Sequence, residues 1–216
     1  MRELTTTSFA ILGLLALQPW SAYELTKQAQ RSLRFCWPRA ETRLYQEPKN
    51  LVQHGLAKAL VETKGRRSRT VYSITPKGRR ALRRWLDQGS APPRLESEAF
   101  LRLFFADYGT KDGLLATLAE LESQARALRE QAVAQGAEYV IGEEGPFPDR
   151  IHILGLLGQF VLDQTDLLAS WARWAQAEVE RWPDVRGAQA SPETTEAFRA
   201  ALAEPGAGLG PGEPPA

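Results

Sequence analysis

The chain has 216 residues, with 27 Lys plus Arg against 26 Asp plus Glu, a formal net charge of +1, and 43% hydrophobic and 25% charged residues. That balance excludes a uniformly basic nucleic-acid coat and an acidic disordered protein, and it fits one large globular domain or two small ones. One cysteine, Cys36, excludes an internal disulfide framework and a cysteine-cluster metal site, and the two histidines, His54 and His152, lie far apart.

The near-zero sum hides a division. Residues 1–93 hold 17 basic and 6 acidic residues, a net of +11, and residues 94–216 hold 10 and 20, a net of −10. Charge asymmetry of this kind points to a polyanion contact made by the first part. GSAPPR at 89–94 punctuates the boundary, and eight of the thirteen residues from Glu204 onward are Gly or Pro. The expected organisation is a basic domain at 1–90, a second domain at 91–186 and a disordered tail at 187–216. The apolar runs Phe9 to Leu17 and Ile151 to Leu162 are shorter than the ~20 residues a spanning helix needs. The first lacks the flanks of a signal peptide, so a cytoplasmic protein is expected.

In chain order, Phe9, Leu12, Leu15 and Ala16 mark a first helix that stops before Pro19. Ser21 and Glu24 form a capping box for a second, with Tyr23, Leu25, Ala29 and Leu33 inward and Lys27, Gln28 and Arg31 in water. A third helix is expected over about Arg39 to His54, closed by Gly55. Its buried stripe is Leu44, Leu51 and Val52, and its outer face Arg39, Thr42, Gln46, Lys49 and Gln53. Such side chains suit base edges and phosphates. The short β-prone runs Leu60 to Thr63 and Thr70 to Ile74 enclose a cationic loop, KGRRSR, whose like charges are best explained by a polyanion. TPKG at Thr75 opens a fourth helix, with Arg79, Arg80, Arg83 and Arg84 outside and Leu82 with Trp85 or Leu86 inside. Three helices, a basic hairpin and a following helix make a winged helix-turn-helix.

SAYELTKQ, LYQEPKNLVQHGLAK and GRRSRTVYSITPKGRRAL, followed by a helical second half, resemble the PadR family of bacterial transcriptional regulators. The resemblance reaches about Pro183 and is most specific at Tyr45, Leu51, Gly55 and Leu56 and at Thr75, Pro76 and Gly78. It departs at Gln46 and Pro48, where many members have Pro directly after the Tyr; Pro48 is expected to kink the third helix or confine its start to near Leu44. The resemblance implies a dimeric repressor, often autoregulatory and in many members released by a small molecule.

The second half begins with a connecting helix over Leu95 to Ala106. Leu114, Leu118, Leu121, Ala125, Leu128 and Ala132 then form a heptad seam within a helix over Asp112 to Val140. After a loop, GEEGPFPD at 142–149, a helix from about Asp149 to Arg181 repeats Ile153, Leu157, Phe160, Leu167, Trp171 and Trp174 in the same pattern. Its stripe is too broad for one neighbouring helix, so an intersubunit interface is expected, with Gly155 and Gly158 permitting close approach.

The fold class expected is mostly α with a small β-hairpin wing: a winged helix-turn-helix followed by a coiled-coil-like dimerisation domain. The candidate DNA contacts are Ser21, Tyr23, Lys27, Arg39, Thr42, Arg43, Gln46, Lys49, Lys64, Arg66, Arg67 and Arg69, with Tyr45 favoured by the resemblance. The candidate dimer contacts are Leu114, Leu118, Leu121, Leu128, Ile153, Leu157, Phe160, Leu167, Trp171 and Trp174. A candidate effector site for an apolar or aromatic molecule draws on Trp20, Phe104, Phe105 and Trp171, with Trp37 and Trp174 also aromatic, although core or dimer packing is the simpler role for Trp171 and Trp174. Cys36 reads as a small apolar residue whose thiol the neighbouring Arg34 and Arg39 would acidify if it were a redox sensor, and His54 as a last-turn residue favoured by the helix dipole. No phosphate-cradling loop, nucleophile elbow or metal-spaced histidine pair is present, so no enzyme, metal or cofactor is expected. The expected function is a regulator, specifically a repressor, that binds a roughly palindromic operator as a homodimer; the alternative is a winged-helix scaffold that binds an acidic protein and no DNA.

Overall fold

The computed structural model describes residues 2–64, 67–140, 147–186 and 192–203. The chain separates into two compact units, Met1–Arg94 and Leu95–Ala216. The expected loop at 142–146 and the Gly/Pro tail from Glu204 lie outside the described residues.

The first unit runs α1 (Thr6–Leu17), β1 (Trp20–Ser21), α2 (Ala22–Ser32), α3 (Glu41–Gln53), β2 (Ala57–Lys64), β3 (Arg67–Ile74) and α4 (Pro76–Leu86). The sheet order is β1-β3-β2, both pairings antiparallel. Ile11, Leu12, Leu15, Leu25 and Leu51 form a fully enclosed core, with Leu44, Leu56, Ala57 and Tyr72 around it. Ser21 caps α2: its Oγ accepts from Glu24 N–H at 3.3 Å, and Glu24 Oε2 accepts from Ser21 N–H at 2.9 Å. Gly55, at φ +69°, closes α3 in a left-handed turn that a side chain would strain.

Several details differ from the sequence expectation. Tyr23 points to solvent, while Gln28 is buried and donates to Ser32 Oγ at 2.5 Å, so the buried face of α2 is Leu25, Thr26, Gln28 and Ala29. α3 starts at Glu41 and runs through Pro48, which is buried. The bond that Pro48 cannot donate is outweighed by the packing of Leu44 and Leu51, tertiary context overriding local preference. The inner stripe also includes Glu47, where Val52 is only half-buried. Lys64, Arg67 and Arg69 belong to strands rather than to a loop, since β2 and β3 stay paired from Ala57↔Ile74 to Lys64↔Arg67. Opposite charges meet across that ladder at Glu62↔Arg69, which offsets the like-charge repulsion.

The second unit contains α5 (Glu98–Phe104), a short 3-10 turn at Ala106–Tyr108, α6 (Lys111–Val140), α7 (Ile151–Glu180) and α8 (Pro192–Ala203). α8 occupies part of the segment expected to be disordered; PETTEAFRAALA is rich in helix formers, and the Gly/Pro run begins only after it. α6 and α7 are antiparallel, as the pairs Lys111 with Glu180, Glu122 with Arg173 and Arg129 with Asp166 require. Leu114, Leu118, Ala175 and Val179 are buried together, with Leu103, Trp171 and Trp182 packed on them. Leu121 and Ala125 extend this buried end, after which α6 has no buried residue. No helix among the described residues is long and apolar enough to cross a membrane.

Candidate nucleic-acid interface

In the first unit α3 packs against α1, α2 and β2. On α3, Leu44 and Leu51 fix the inner face, and the helical step leaves Thr42, Arg43, Tyr45, Gln46 and Lys49 exposed. Among the described residues, the side chains of Thr42, Arg43, Gln46 and Lys49 make no hydrogen bond or ion pair within the chain. Donors and acceptors of both kinds are thus open on one helix face. That is the chemistry needed to read base edges and hold phosphates.

Arg39 precedes the helix. Its guanidinium lies 4.0 Å from the Trp37 ring centre and donates to the Pro38 carbonyl at 2.6 Å. The stack fixes a cation at the entry to α3. On α2, the Lys27 ammonium sits 4.7 Å from the centre of the exposed Tyr23 ring. The Tyr23 side chain, with Glu41 further off, holds Lys27 above the ordinary ammonium value, so its charge is secure. Ser21 spends its hydroxyl on the cap.

On the wing, Arg69 is committed within the chain. Its guanidinium donates to Glu24 Oε1 at 3.0 Å and to Glu62 Oε2 at 3.2 Å. Glu24 is held below the usual carboxylate range by Ser21, through side chain and then backbone, and by Arg69. Arg66 lies outside the described residues, and the side chains of Lys64 and Arg67 are not described. Arg69 thus ties the hairpin to α2 through Glu24.

The sequence reading missed one functional group on α3. Glu47 is fully buried, accepts from Ser8 Oγ at 2.8 Å and pairs with the Arg2 guanidinium. Its signal was the spacing Leu44, Glu47, Leu51, a core stripe in which the charged member is easily read as solvent-facing. His54 bonds the Arg2 carbonyl through Nε2 at 2.7 Å, and its own carbonyl accepts from Lys77 Nζ at 2.9 Å. The Cys36 side chain is exposed, and partial desolvation raises its thiol, which goes against the redox-sensor alternative. Arg34 lies over the Phe35 ring, as Arg39 does over Trp37.

In the second unit, Leu114, Leu118 and Leu121 are already covered within one chain, against α7 and its neighbours, and so differ from the expected intersubunit role. A heptad seam has the same pattern whether its neighbour is its own chain or another. Leu128, Ile153, Leu157, Phe160, Leu167 and Trp174 remain exposed, and Trp171 is half-buried against Phe100, ring centres 5.2 Å apart. Of the candidate effector residues, Phe105 lines a cleft of about 580 Å³ with Leu101, Arg102, Tyr108, Leu114 and Thr117. Phe104 meets Phe105 edge to face, and Trp171 does not line the cleft. Trp20 and Trp37 belong to the first unit, where their indole N–H groups donate to the Leu14 carbonyl at 3.0 Å and to Thr7 Oγ1 at 3.1 Å.

Residues 11–84 match the transcriptional regulator PadR-like family. The chain is 28% identical over 148 residues to the Mycobacterium tuberculosis protein named "Probable transcriptional regulator Rv1176c", covering 65% of this chain and 76% of that one. To the negative transcriptional regulator PadR of Bacillus subtilis it is 27% identical over 99 residues, 45% of this chain and 54% of that one. In fold it is similar to the crystal structure of Bacillus subtilis PadR in complex with operator DNA, with a TM-score of 0.68 and 20% identity over 81% of this chain and 99% of that one. The structure of the same protein with p-coumaric acid gives a TM-score of 0.64 and 21% identity over 82% and 100%.

Proposed function

We propose that the chain, whose residues 11–84 match the PadR-like family of transcriptional regulators, is a sequence-specific DNA-binding repressor acting as a homodimer. The observation that carries this reading is the open outer face of α3, where Thr42, Arg43, Gln46 and Lys49 have no partner among the described residues of a unit whose sequence to Pro93 has a net charge of +11. In this reading α3 enters the major groove, with Gln46 and Lys49 at base edges. Arg39, Lys27, Tyr23 and Tyr45 flank it at the backbone, and Lys64, Arg66 and Arg67 hold phosphates from the wing. Two copies related by two-fold symmetry would meet a roughly palindromic site, with half-sites ~34 Å apart or a multiple of it.

The exposed apolar side chains of α7 support the homodimer. Ile153, Leu157, Phe160, Leu167 and Trp174 recur at heptad-like steps and are uncovered in a single chain. The cleft beside Phe105 and Arg102 supports an aromatic or apolar effector, the class to which the p-coumaric acid bound by Bacillus subtilis PadR belongs. A DNA-binding regulator of this kind works in the cytoplasm.

Enrichment of the purified chain on a randomised duplex pool tests the reading. A palindromic consensus is the expected result; no duplex binding at low salt would overturn it and leave a protein-binding scaffold in its place. Intrinsic Trp fluorescence across a panel of aromatic acids and cationic drugs tests the effector, and an unchanged spectrum throughout counts against it.

A further inference from the structure

α3 carries a charge on its inner side. Glu47 sits between Leu44 and Leu51 on the stripe that packs into the core, with no part of its side chain in contact with solvent. Its two oxygens have separate partners, the Arg2 guanidinium on one and Ser8 Oγ, at 2.8 Å, on the other. Ser8 in turn accepts from Thr5 N–H at 3.0 Å, where α1 begins. The same N-terminal segment is held a second time, through the Arg2 carbonyl and His54 at the other end of α3. Arg2 therefore spans the last two turns of α3.

An apolar side chain at position 47 would pack almost equally well over a range of helix rotations. A buried carboxylate cannot, because any roll of α3 that parts it from Arg2 and Ser8 leaves a charge unpaired in the core, which is strongly unfavourable. The helical step makes the roll of α3 and the direction of Gln46 and Lys49 a single quantity. A contact on the inside of the helix thus sets which side chains face outward, and at what angle.

We infer that Glu47, acting through Arg2 and Ser8, is a positioning residue for DNA reading: it fixes the roll of α3 and hence sequence discrimination, without touching DNA. The inference rests on the proposed function above. Its signature, in variants that keep the fold, is a loss of specificity with phosphate contact unchanged.

The test uses the full chain and two duplexes, the one that the parent chain enriches from a randomised pool and a scrambled version of it. The ratio of the two affinities is measured for Glu47→Met, Glu47→Gln and Arg2→Ala, together with Tm and the salt dependence of binding to the scrambled duplex. Glu47→Met should lower the ratio by about tenfold or more, the scale of losing one base reading, with the salt slope unchanged. Glu47→Gln, which keeps an acceptor for Ser8, should recover part of it, and Arg2→Ala should fall between. If Glu47→Met is unfolded, Glu47→Gln and Arg2→Ala decide, and each must reduce the ratio. An unchanged ratio in the folded variants overturns the positioning role alone. Failure of the parent chain to enrich any duplex overturns the functional reading, and this inference with it.

Discussion

Arg69 reaches from the wing to Glu24 at the first turn of α2, with 3.0 Å between guanidinium and carboxylate. The carboxylate that caps α2 is therefore also the anchor of the wing. Glu24 is held below its ordinary value by Ser21 and then by Arg69. A group with a folded value below its unfolded one, ~4.3, contributes stability that is present above that value and lost as pH falls through the folded one. Glu24→Gln should therefore lower Tm at pH 7, and the gap from the parent chain should shrink as pH falls below about 4. Thermal unfolding across pH 3 to 7 checks this; a gap independent of pH would count against the pairing.

Replacing Arg66, Arg67 and Arg69 together by Ala should weaken binding to every duplex. Each phosphate contact contributes about 0.9 to the slope of log affinity against log salt. Since Arg69 is already engaged by Glu24 and Glu62, the slope should flatten by roughly 2 rather than 3. Fluorescence anisotropy at four or more salt concentrations reads it, and an unaltered slope would remove the wing from the interface.

Gly78 is required by a close approach. A Cβ there would stand 2.1 Å from the Leu56 carbonyl oxygen and 2.8 Å from Ile74 Cγ1. Gly78→Ala should destabilise the chain by about 3 kcal/mol, the upper part of the overpacking range, because a backbone carbonyl yields little. Gly13→Ala in α1 is the matched control: nothing lies within 4 Å of its Cβ. It should be stabilising by roughly 0.5–1 kcal/mol. Urea unfolding of both variants separates crowding from helix propensity.

Leu118 and Phe160 should behave oppositely. Leu118 is enclosed between α6 and α7, so Leu118→Ala should cost about 2–5 kcal/mol in stability. Phe160 is exposed on α7, and Phe160→Asp should leave far-UV circular dichroism intact while shifting sedimentation from dimer to monomer. A monomeric parent chain would refute the interface.

Cys36 is exposed, yet partial desolvation by its neighbours raises its thiol above the usual value. Alkylation by iodoacetamide at pH 7 should accordingly be slower than for a free thiol of pKa ≈ 8.5 and should accelerate only at higher pH. A rate at neutral pH equal to or above that of free cysteine would show that the thiolate is stabilised after all.

Where structure depends on near neighbours, the sequence was easy to read. Ser21 with Glu24, Thr75 before Gly78 and Gly55 after α3 are caps made within a few residues, and each stands where its spacing indicates. What escaped was decided at a distance. Glu47 looks like a surface charge until Arg2, 45 positions away, is brought beside it. β1 is two residues long and has no pattern of its own; it exists because Tyr72 and Val71 are there to pair with. On α6, periodicity identified Leu114 and Leu118 as a seam, but period alone does not say whose helix covers it. On the candidate interface, Gln46 and Lys49 were legible from the roll of α3, whereas the capture of Arg69 by two carboxylates required the fold.

The strap from Arg2 to α3 carries a practical consequence. Anything added to or trimmed from the amino end acts on the counterion of a carboxylate sealed in the core, and through it on the helix proposed to read DNA. A purification handle fused there would alter stability and recognition together, so a specificity measured with it would not be that of the parent chain. A handle placed after α8 is the safer choice, and affinities measured with the two placements should be compared before any specificity is assigned.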